Sequence, residues 1–494
     1  MLHWQGPADQ VKRGPTEARE VELKFDIDPD HVSKLAKLSY FSEAAEPKRQ
    51  ISIYFDTPKE KLRRNGWVLR VRQRDGKFIQ TAKRSIEAAG LFDREEWEFE
   101  VDGPDPDRRA IAKTPLGAIV KARQFHQLAP VCRCDIDRSR RVISVGNATV
   151  EISLDEGLVE AREACEPVHE IELELKSGEP TALFGLARKI VGRVPVKIGV
   201  SAKSERGFAL SEGKRPGPVK AIPVALSAEM PVGRSFATIA ASCIKHFRMN
   251  EPLVIAERDA EALHQLRVAI RRLRSAVWLF RPAIRDAELD GFSDQLRRFT
   301  RELGAARNID VILSTMSLND PARCQLEDDR KRLYTKIIRK LDSRSFRLFM
   351  FDLFAWLHHG KWRTGKKASA PLLPFAIKRI DRLWAKIDQR ASLLQRLSDE
   401  DRHQLRIDTK KLRYALEFLT EPLRPAGDAR VKFVKTAERI QDRLGDLNDL
   451  IAQPQLLARI HPAPAKTRAR HMRAAKRYLQ KLRGIGPYWR RAVD

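Results

Sequence analysis

From Glu20 onward, apolar and polar residues alternate with period two. Glu20-Val21-Glu22-Leu23-Lys24-Phe25 has one charged and one apolar face, the pattern of a β-strand. The same alternation predicts strands over 51–55, 67–74, 78–83, 94–101, 132–145, 149–154, 159–164 and 169–176, with helical patterns over 29–40, 115–125 and 180–192. Many strands at short spacing predict an antiparallel sheet or barrel. Charge gathers in rows on single strand faces: Glu20/Glu22/Lys24, Arg70/Arg72, Arg94/Glu96/Glu98 and Glu170/Glu172/Glu174. On an open sheet such rows meet water or form a cross-strand salt-bridge lattice. In a barrel with helices packed outside, they line a polar tunnel. Residues 211–230, rich in Pro and Gly, read as a linker. Beyond them helical periods run to about residue 485, with loops at 319–323, 358–374 and 421–428. The predicted organisation is an arm (1–18), an α+β antiparallel β-barrel or tunnel (19–210), the linker (211–230), an all-α helical bundle (231–485) and a tail (486–494).

The helical part contains an internal duplication. His264-Gln-Leu-Arg-Val-Ala-Ile-Arg-Arg-Leu-Arg274 is nearly repeated by His403-Gln-Leu-Arg-Ile-Asp-Thr-Lys-Lys-Leu-Arg413, and Leu303-Gly304 is matched by Leu444-Gly445. On a helix, His264, Arg267, Arg271 and Arg274 occupy one face about 80° wide. His403, Arg406, Lys410 and Arg413 do the same, while Leu266, Leu273 and Val277 lie on a different, packing face. Two matching cationic rows in related halves are expected to converge on one groove, which suggests a long anionic ligand. Lys432, Lys435, Arg439 and Arg443 recur on one helical face and, with Arg298 and Arg301, are expected to extend the row.

A chain of 494 residues calls for more than one core. Its charge is divided unevenly. Residues 1–210 hold 36 basic and 34 acidic residues; residues 211–494 hold 58 and 32. The first part is balanced, as a site with both cations and carboxylates would be, and the second attracts polyanions. There is no apolar run of membrane-spanning length and no apolar signal core at the N-terminus. Five cysteines at irregular spacing suit a reducing cytoplasm, and Cys132 with Cys134 reads as packing. No phosphate-binding glycine loop and no His-Glu-x-x-His occurs, so a nucleotide-loop fold or a zinc protease is not supported.

Several of these motifs occur in an order that resembles a CYTH domain, the fold of the triphosphate tunnel metalloenzymes. They are Glu20-x-Glu22-x-Lys24, Tyr54-Phe55-Asp56-Thr57-Pro58, Leu69-Arg70-Val71-Arg72, Lys83, the strand 170–175 and Lys203-x-x-Arg206-Gly207. The duplicated His-Gln-Leu-Arg helices and Leu-Gly segments resemble a CHAD domain. Together they are similar to bacterial inorganic triphosphatases. The resemblance implies metal-binding carboxylates at Glu20, Glu22, Glu170 and Glu172, with Asp155 and Glu174 added, and Mg²⁺ or Mn²⁺ as the ion that hard oxygen donors prefer. It implies a phosphate cradle of Lys24, Arg70, Arg72, Lys83, Arg138 and Lys203, with Lys197 in addition, on strands or strand ends. Glu20, Glu22 and Lys24 are the catalytic candidates.

The function this implies is metal-dependent hydrolysis of inorganic triphosphate or short polyphosphate, joined to polyphosphate binding by the helical domain. The setting would be the cytoplasm, in association with polyphosphate granules. The alternatives are a polyphosphate-binding protein without turnover, an adenylate cyclase, for which no adenine site is identified, and a nucleic-acid binder. Nucleic acid is less favoured because the cationic rows lack interleaved aromatics for base stacking. A histidine beside three cations is poor metal chemistry and suits a phosphate donor or a helix-packing residue.

Overall fold

Alternating residues do form strands, and the strands close on themselves. The computed structural model describes residues 18–41, 45–84, 93–213, 217–423, 427–452 and 464–492. Contacts divide the chain into two units, Met1–Pro216 and Gly217–Asp494. The first contains β1 (Ala18–Ile27), α1 (Pro29–Leu35), β2 (Lys48–Asp56), α2 (Lys61–Arg64), β3 (Trp67–Arg74), β4 (Lys77–Arg84), β5 (Asp93–Val101), α3 (Arg108–Ala112), α4 (Ala122–Phe125), β6 (Ala129–Val145), β7 (Ala148–Ala161), β8 (Ala164–Ser177), α5 (Pro180–Arg193), β9 (Val196–Ile198) and α6 (Lys203–Ser211). Sheet order is β5-β4-β3-β2-β6-β7-β8-β1-β9, and β5 also pairs with β1, which closes an antiparallel barrel.

Period two sets which face turns inward. Leu69 and Val71 join Phe55, Leu62, Trp67, Trp97, Ile111 and Leu116 in an outer core under the segment that contains α3, while Arg70 and Arg72 between them face the lumen. On another wall α5 buries Leu183, Leu186, Ala187 and Ile190 against the β6–β9 side. Each such leucine or isoleucine contributes about 1.5–3 kcal/mol of hydrophobic stabilisation. Asp75 and Gly76, at φ 51° and 77°, form the tight turn between β3 and β4 that an Asp-Gly pair favours.

Two departures from the sequence reading have local causes. The predicted strand 149–154 and residues 159–161 of the predicted strand 159–164 are one strand, β7, and residues 162–163 are the turn into β8; Gly157, in mid-strand, is a close-approach residue. A Cβ there would stand 2.1 Å from the Asp135 carbonyl oxygen. Lys203 is not on a strand end but is the first residue of helix α6. α6 lies against β6, β7 and β8, so closely that a Cβ at Gly207 would stand 2.3 Å from Cys132 Sγ. Here the lumen is apolar, with Tyr54, Cys132, Cys134, Val159 and Val168 buried together and Leu210 of α6 packed on them.

The second unit contains α7 (Val232–Glu257), α8 (Ala260–Ile284), α9 (Leu289–Thr315), α10 (Arg323–Leu341), α11 (Arg344–His359), α12 (Leu372–Ser392), α13 (Asp399–Phe418), α14 (Gly427–Ala452) and α15 (Pro464–Ile485). The duplication is visible in the backbone. Val232 N donates to Ala370 O at 2.9 Å and Leu372 N to Met230 O at 3.0 Å, so α7 and α12 start from one reciprocal bridge. The two His-Gln-Leu-Arg helices, α8 and α13, are capped alike: Asp259 accepts from Ala262 N and Ser398 from Asp401 N, each satisfying an orphan helix donor. Residues 217–230 have no regular element, yet Val219 exchanges 2.9 Å hydrogen bonds with the Asn250 side chain, and Val224 and Leu226 are buried. No described helix is long and apolar enough to cross a membrane.

The segment read as a tail also carries core residues. Trp489 is fully buried, packs on Trp384, Phe433 and Tyr488 and donates through Nε1 to Asp381 at 2.8 Å. Trp489→Ala should lower the stability of the helical unit by about 3–5 kcal/mol in denaturant titration. A loss below about 1 kcal/mol, the size of an ordinary surface change, would show that the segment is dispensable for packing.

Candidate functional sites: a charged lumen and a duplicated cationic face

Register brings the inward charges of the barrel together. Directly opposed residues share a face, and the pairs are Lys24–Glu172 between β1 and β8, Asp155–Glu170 between β7 and β8, Arg138–Asp155 between β6 and β7, and Arg70–Thr81 between β3 and β4. Lys203 enters this group from α6. Its Nζ lies 2.8 Å from Asp155 Oδ2, 2.5 Å from Glu170 Oε2 and 3.0 Å from Glu172 Oε1. Arg138 Nη2 reaches Asp155 Oδ2 and Glu172 Oε2, both at 2.5 Å. Lys24 Nζ is 2.6 Å from Glu172 Oε1 and 3.2 Å from Glu22 Oε1.

These contacts set the protonation states. Burial alone would raise the Glu172 carboxyl, but Arg138, Lys203 and Lys24 hold it well below its usual range. Asp155 is also held low: burial opposes this, and Lys203 and Arg138 outweigh it. Burial would depress the Lys203 ammonium, but Asp155, Glu170 and Glu172 raise it well above its ordinary value. Lys24 is raised in the same way, burial being overcome by Glu172 and Glu22. Arg72 differs. Burial, then Arg70 and Arg138, push its guanidinium down to about 10, so cations outweigh carboxylates around it. Its Nε donates to Ser52 Oγ at 3.1 Å.

Other expected residues are placed around this cluster. Arg70 is buried, with Nη2 3.1 Å from Thr81 Oγ1 and 3.5 Å from both Glu96 and Glu98. Lys83 pairs with Glu96 at 2.7 Å. Glu174 stands apart from the three-carboxylate group and pairs with Lys176 at 2.6 Å. Lys197, on β9, is in register with Asp26. The Glu20 side chain lies outside the described residues. Arg206, not chosen as a candidate, pairs with Glu170 at 3.1 Å; its position one helical turn after Lys203 was the available signal.

In the helical unit the two rows meet. Burial, followed by Arg406, Arg271, Arg267 and Arg413, lowers the Lys410 ammonium to about 7, so Lys410 of α13 feels cations of both rows. Arg272 of α8 bridges to Glu417 of α13 at 3.3 Å, and Arg413 is stacked over the Tyr414 ring at 4.3 Å. Each row leans on a glycine. A Cβ at Gly304 would stand 3.6 Å from Arg267 Nη2, and one at Gly445 would stand 3.3 Å from Arg406 Nε and Nη2. The first arginine of each row thus lies against the glycine of its Leu-Gly segment, tightly only at Gly445. His264 is half-buried, and burial with Arg307 and Arg271 lowers it to about 4, leaving it neutral at pH 7. His403 is exposed.

The expected extensions of the rows are revised by helix rotation. Arg413 Nε donates to Gln441 Oε1 at 3.2 Å, so Gln441 and Gly445 form the α13-facing side of α14. Arg439 is about half a turn from Gln441 and lies over the Tyr478 ring of α15 at 5.6 Å. Exposed Lys432 and Lys435 belong to that same row. On α9, Arg297 and Arg298 are both exposed, and Arg297 depresses Arg274, after burial. Arg297 and Gly304 are two helical turns apart on one face, which spacing from Gly304 would have indicated.

Comparison with known proteins agrees with these two architectures. The CYTH domain family matches residues 18–205 and the CHAD domain family residues 238–458. The chain is a CYTH domain followed by a CHAD domain. An inorganic triphosphatase of Haemophilus influenzae is 26% identical over 197 residues, covering 39% of this chain and 55% of that protein; the match spans about half of that relative's length. An uncharacterized protein of Mycobacterium tuberculosis is 25% identical over 503 residues, covering 90% of this chain and 89% of that one. Among solved structures, the CHAD domain of Ricinus communis is 28% identical, with a TM-score of 0.43, covering 55% of this chain and 93% of that chain. A Hippeastrum protein described as having a dominant triphosphatase activity is 18% identical, with a TM-score of 0.30, covering 40% and 97%.

The CYTH domain has a donor set that fits a metal ion. Asp155, Glu170 and Glu172 are buried, and one oxygen from each lies within 4.8 Å of the others. Such hard carboxylate oxygens suit Mg²⁺ or Mn²⁺. The Lys203 ammonium already stands among them.

The same network makes the CYTH domain acid-sensitive. Asp155 and Glu172 have folded-state pKa values below their ordinary 3.8 and 4.5. The unfolded chain therefore binds more protons, and the stabilisation is complete above about pH 4.5 and lost as pH falls through the folded values. Acid titration followed by circular dichroism should show the loss starting below that pH. Arg138→Ala leaves buried Asp155 and Glu172 short of a cation and should cost about 3–5 kcal/mol in denaturant titration; an unchanged midpoint would contradict the network's role.

Proposed function

We propose that the CYTH domain hydrolyses inorganic triphosphate, or a similarly short polyphosphate, in the barrel lumen, and that the CHAD domain binds inorganic polyphosphate. The observation that carries the first part is the meeting of Lys24, Arg138 and Lys203 with Glu22, Asp155, Glu170 and Glu172 in one lumen. Arg70, Arg72 and Arg138 would hold phosphate oxygens through forked donors, with Lys24, Lys83 and Lys203 as point charges. The Arg72 guanidinium, poorly compensated by carboxylate, favours an arriving anion. Asp155, Glu170 and Glu172, with Glu20 and Glu22 at the β1 side, would hold Mg²⁺ or Mn²⁺. When bound, the ion neutralises phosphate charge and makes a bound water more acidic. Water attacks a terminal phosphorus, the bond to the bridging oxygen breaks, and orthophosphate and pyrophosphate leave. The chain's own residues act by positioning and charge neutralisation.

For the CHAD domain, the support is the convergence of the two rows around Lys410. Polyphosphate suits a surface with charge and no base-stacking platform; Tyr414, the aromatic nearest the second row, is buried. A second reading, a polyphosphate-binding protein without turnover, is favoured by the completeness of the ion pairs that Lys203 and Arg138 make with the carboxylates.

Phosphate release from triphosphate with Mg²⁺ or Mn²⁺ separates the two. Turnover is expected, with Glu22→Gln reducing it on the order of 10²-fold or more while polyphosphate binding persists. Tight binding with no metal-dependent release would leave the second reading standing.

Arg267→Ala with Arg406→Ala should weaken polyphosphate binding and flatten its salt dependence. Binding should also depend on pH. A bound polyanion favours protonated Lys410, whose free value is about 7, so affinity should fall as pH rises from 6 to 8.5. Lys410→Arg should remove that slope in anisotropy titrations, and a slope unchanged by the substitution would assign it to another group.

A further inference from the structure

The mouth of the barrel, at the β3–β4 turn and far from α6, opens into a cavity of about 800 Å³, within the range of ligand-sized pockets. Its lining includes Lys48, Gln50, Arg74, Arg138, Arg140 and Arg141, with Glu46 and Asp75 as the acidic residues. Asp75 is already engaged, by Lys48 at 3.2 Å and Arg74 at 3.6 Å.

Arg140 is only weakly compensated by carboxylate. Its nearest carboxylate, Glu151, is 3.8 Å away, and its Nε is buried without a hydrogen-bond partner. Burial, then Arg138 and Arg74, lowers its guanidinium below the ordinary value. Arg141 is held over the Phe41 ring at 5.3 Å, which fixes its place at the rim. Like charges held this close cost stability unless an anion joins them. Arg138 is shared: it lines this cavity and also binds Asp155 and Glu172, so the mouth and the lumen have one arginine in common.

We propose that the mouth cavity holds the outer phosphates of a linear polyphosphate whose terminal phosphates occupy the lumen. Arg74 and Arg140 then determine how well chains longer than triphosphate are used. The proposal rests on the lumen being a phosphoanhydride site. Arginines at the mouth, joined to the lumen through Arg138, match a ligand that repeats the same anionic unit beyond its terminal phosphates, which a nucleoside triphosphate does not.

The test uses the full chain and its Arg74→Gln/Arg140→Gln variant. Steady-state hydrolysis is compared for triphosphate, for fractionated linear polyphosphate several times longer, and for ATP. The variant should lose about tenfold in kcat/KM for the long chain, mainly through KM, as expected for lost binding contacts. Triphosphate should stay within about twofold. Arg140→Lys, which keeps the charge, should recover part of the long-chain KM. Equal losses for both phosphates would place the arginines in the triphosphate site and overturn the proposal, as would an unchanged long-chain KM. A loss confined to ATP would assign the cavity to a nucleotide and overturn it as well. Wild-type protein that cleaves triphosphate but not the longer chain refutes the extension alone. Wild-type protein that cleaves neither refutes the lumen reading and this proposal with it.

Discussion

The barrel depends on the mutual neutralisation of buried charges around Glu172. Charged groups taken from water cost several kcal/mol each unless they are paired and hydrogen-bonded. Glu172 meets Lys24, Arg138 and Lys203, and Asp155, which is fully buried, meets Arg138 and Lys203. Removing Arg138 leaves both Asp155 and Glu172 short of a cation. The pairing also makes the lumen chemically useful, because it holds carboxylates ionised and cations charged in a space largely withdrawn from solvent. Ion pairs that permit folding and groups that could receive phosphate and metal are thus the same side chains.

The CHAD domain solves a different problem. Its cations are not matched by a comparable set of carboxylates. Burial, and then the converging rows, depress Lys410 to about 7, and burial with neighbouring arginines leaves His264 neutral. The fold tolerates this because hydrophobic packing supplies the stability: Leu266, Leu273, Leu405 and Leu412 are all buried on the faces away from the rows. The duplication is not exact. Two turns before Gly304, α9 carries Arg297, which acts on Arg274; two turns before Gly445, α14 carries Glu438, which acts on Arg413. The first half therefore contributes the more strongly cationic side of the face.

Much of this was legible in the chain. Period two identified most strands, because alternation is imposed locally by the pleat. The paired His-Gln-Leu-Arg segments announced two equivalent helices, and the Leu-Gly matches place Gly304 beside Arg267 and Gly445 beside Arg406. Misreadings came where a residue's role is set by something distant. The strand through Gly157 was read as two because the close approach of Asp135 across the sheet is not visible in sequence. Lys203 was placed on a strand end because the helix it begins is held by contact with Cys132. Arg297 was not singled out, and the orientation of the 432/435/439 row toward Tyr478 was not visible, because rotation of α9 and α14 is set by packing.

By itself, the sequence determined the two architectures, the division of charge between them and the alternation that puts arginines and glutamates on one face of each strand. These follow from short-range geometry and composition. Only the tertiary structure decided that the sheet closes through β5 and β1, that Lys203 arrives from a helix to stand among Asp155, Glu170 and Glu172, and that the two cationic rows meet at Lys410. Those facts depend on strand order, register and helix rotation, which are fixed by contacts between residues far apart in the chain.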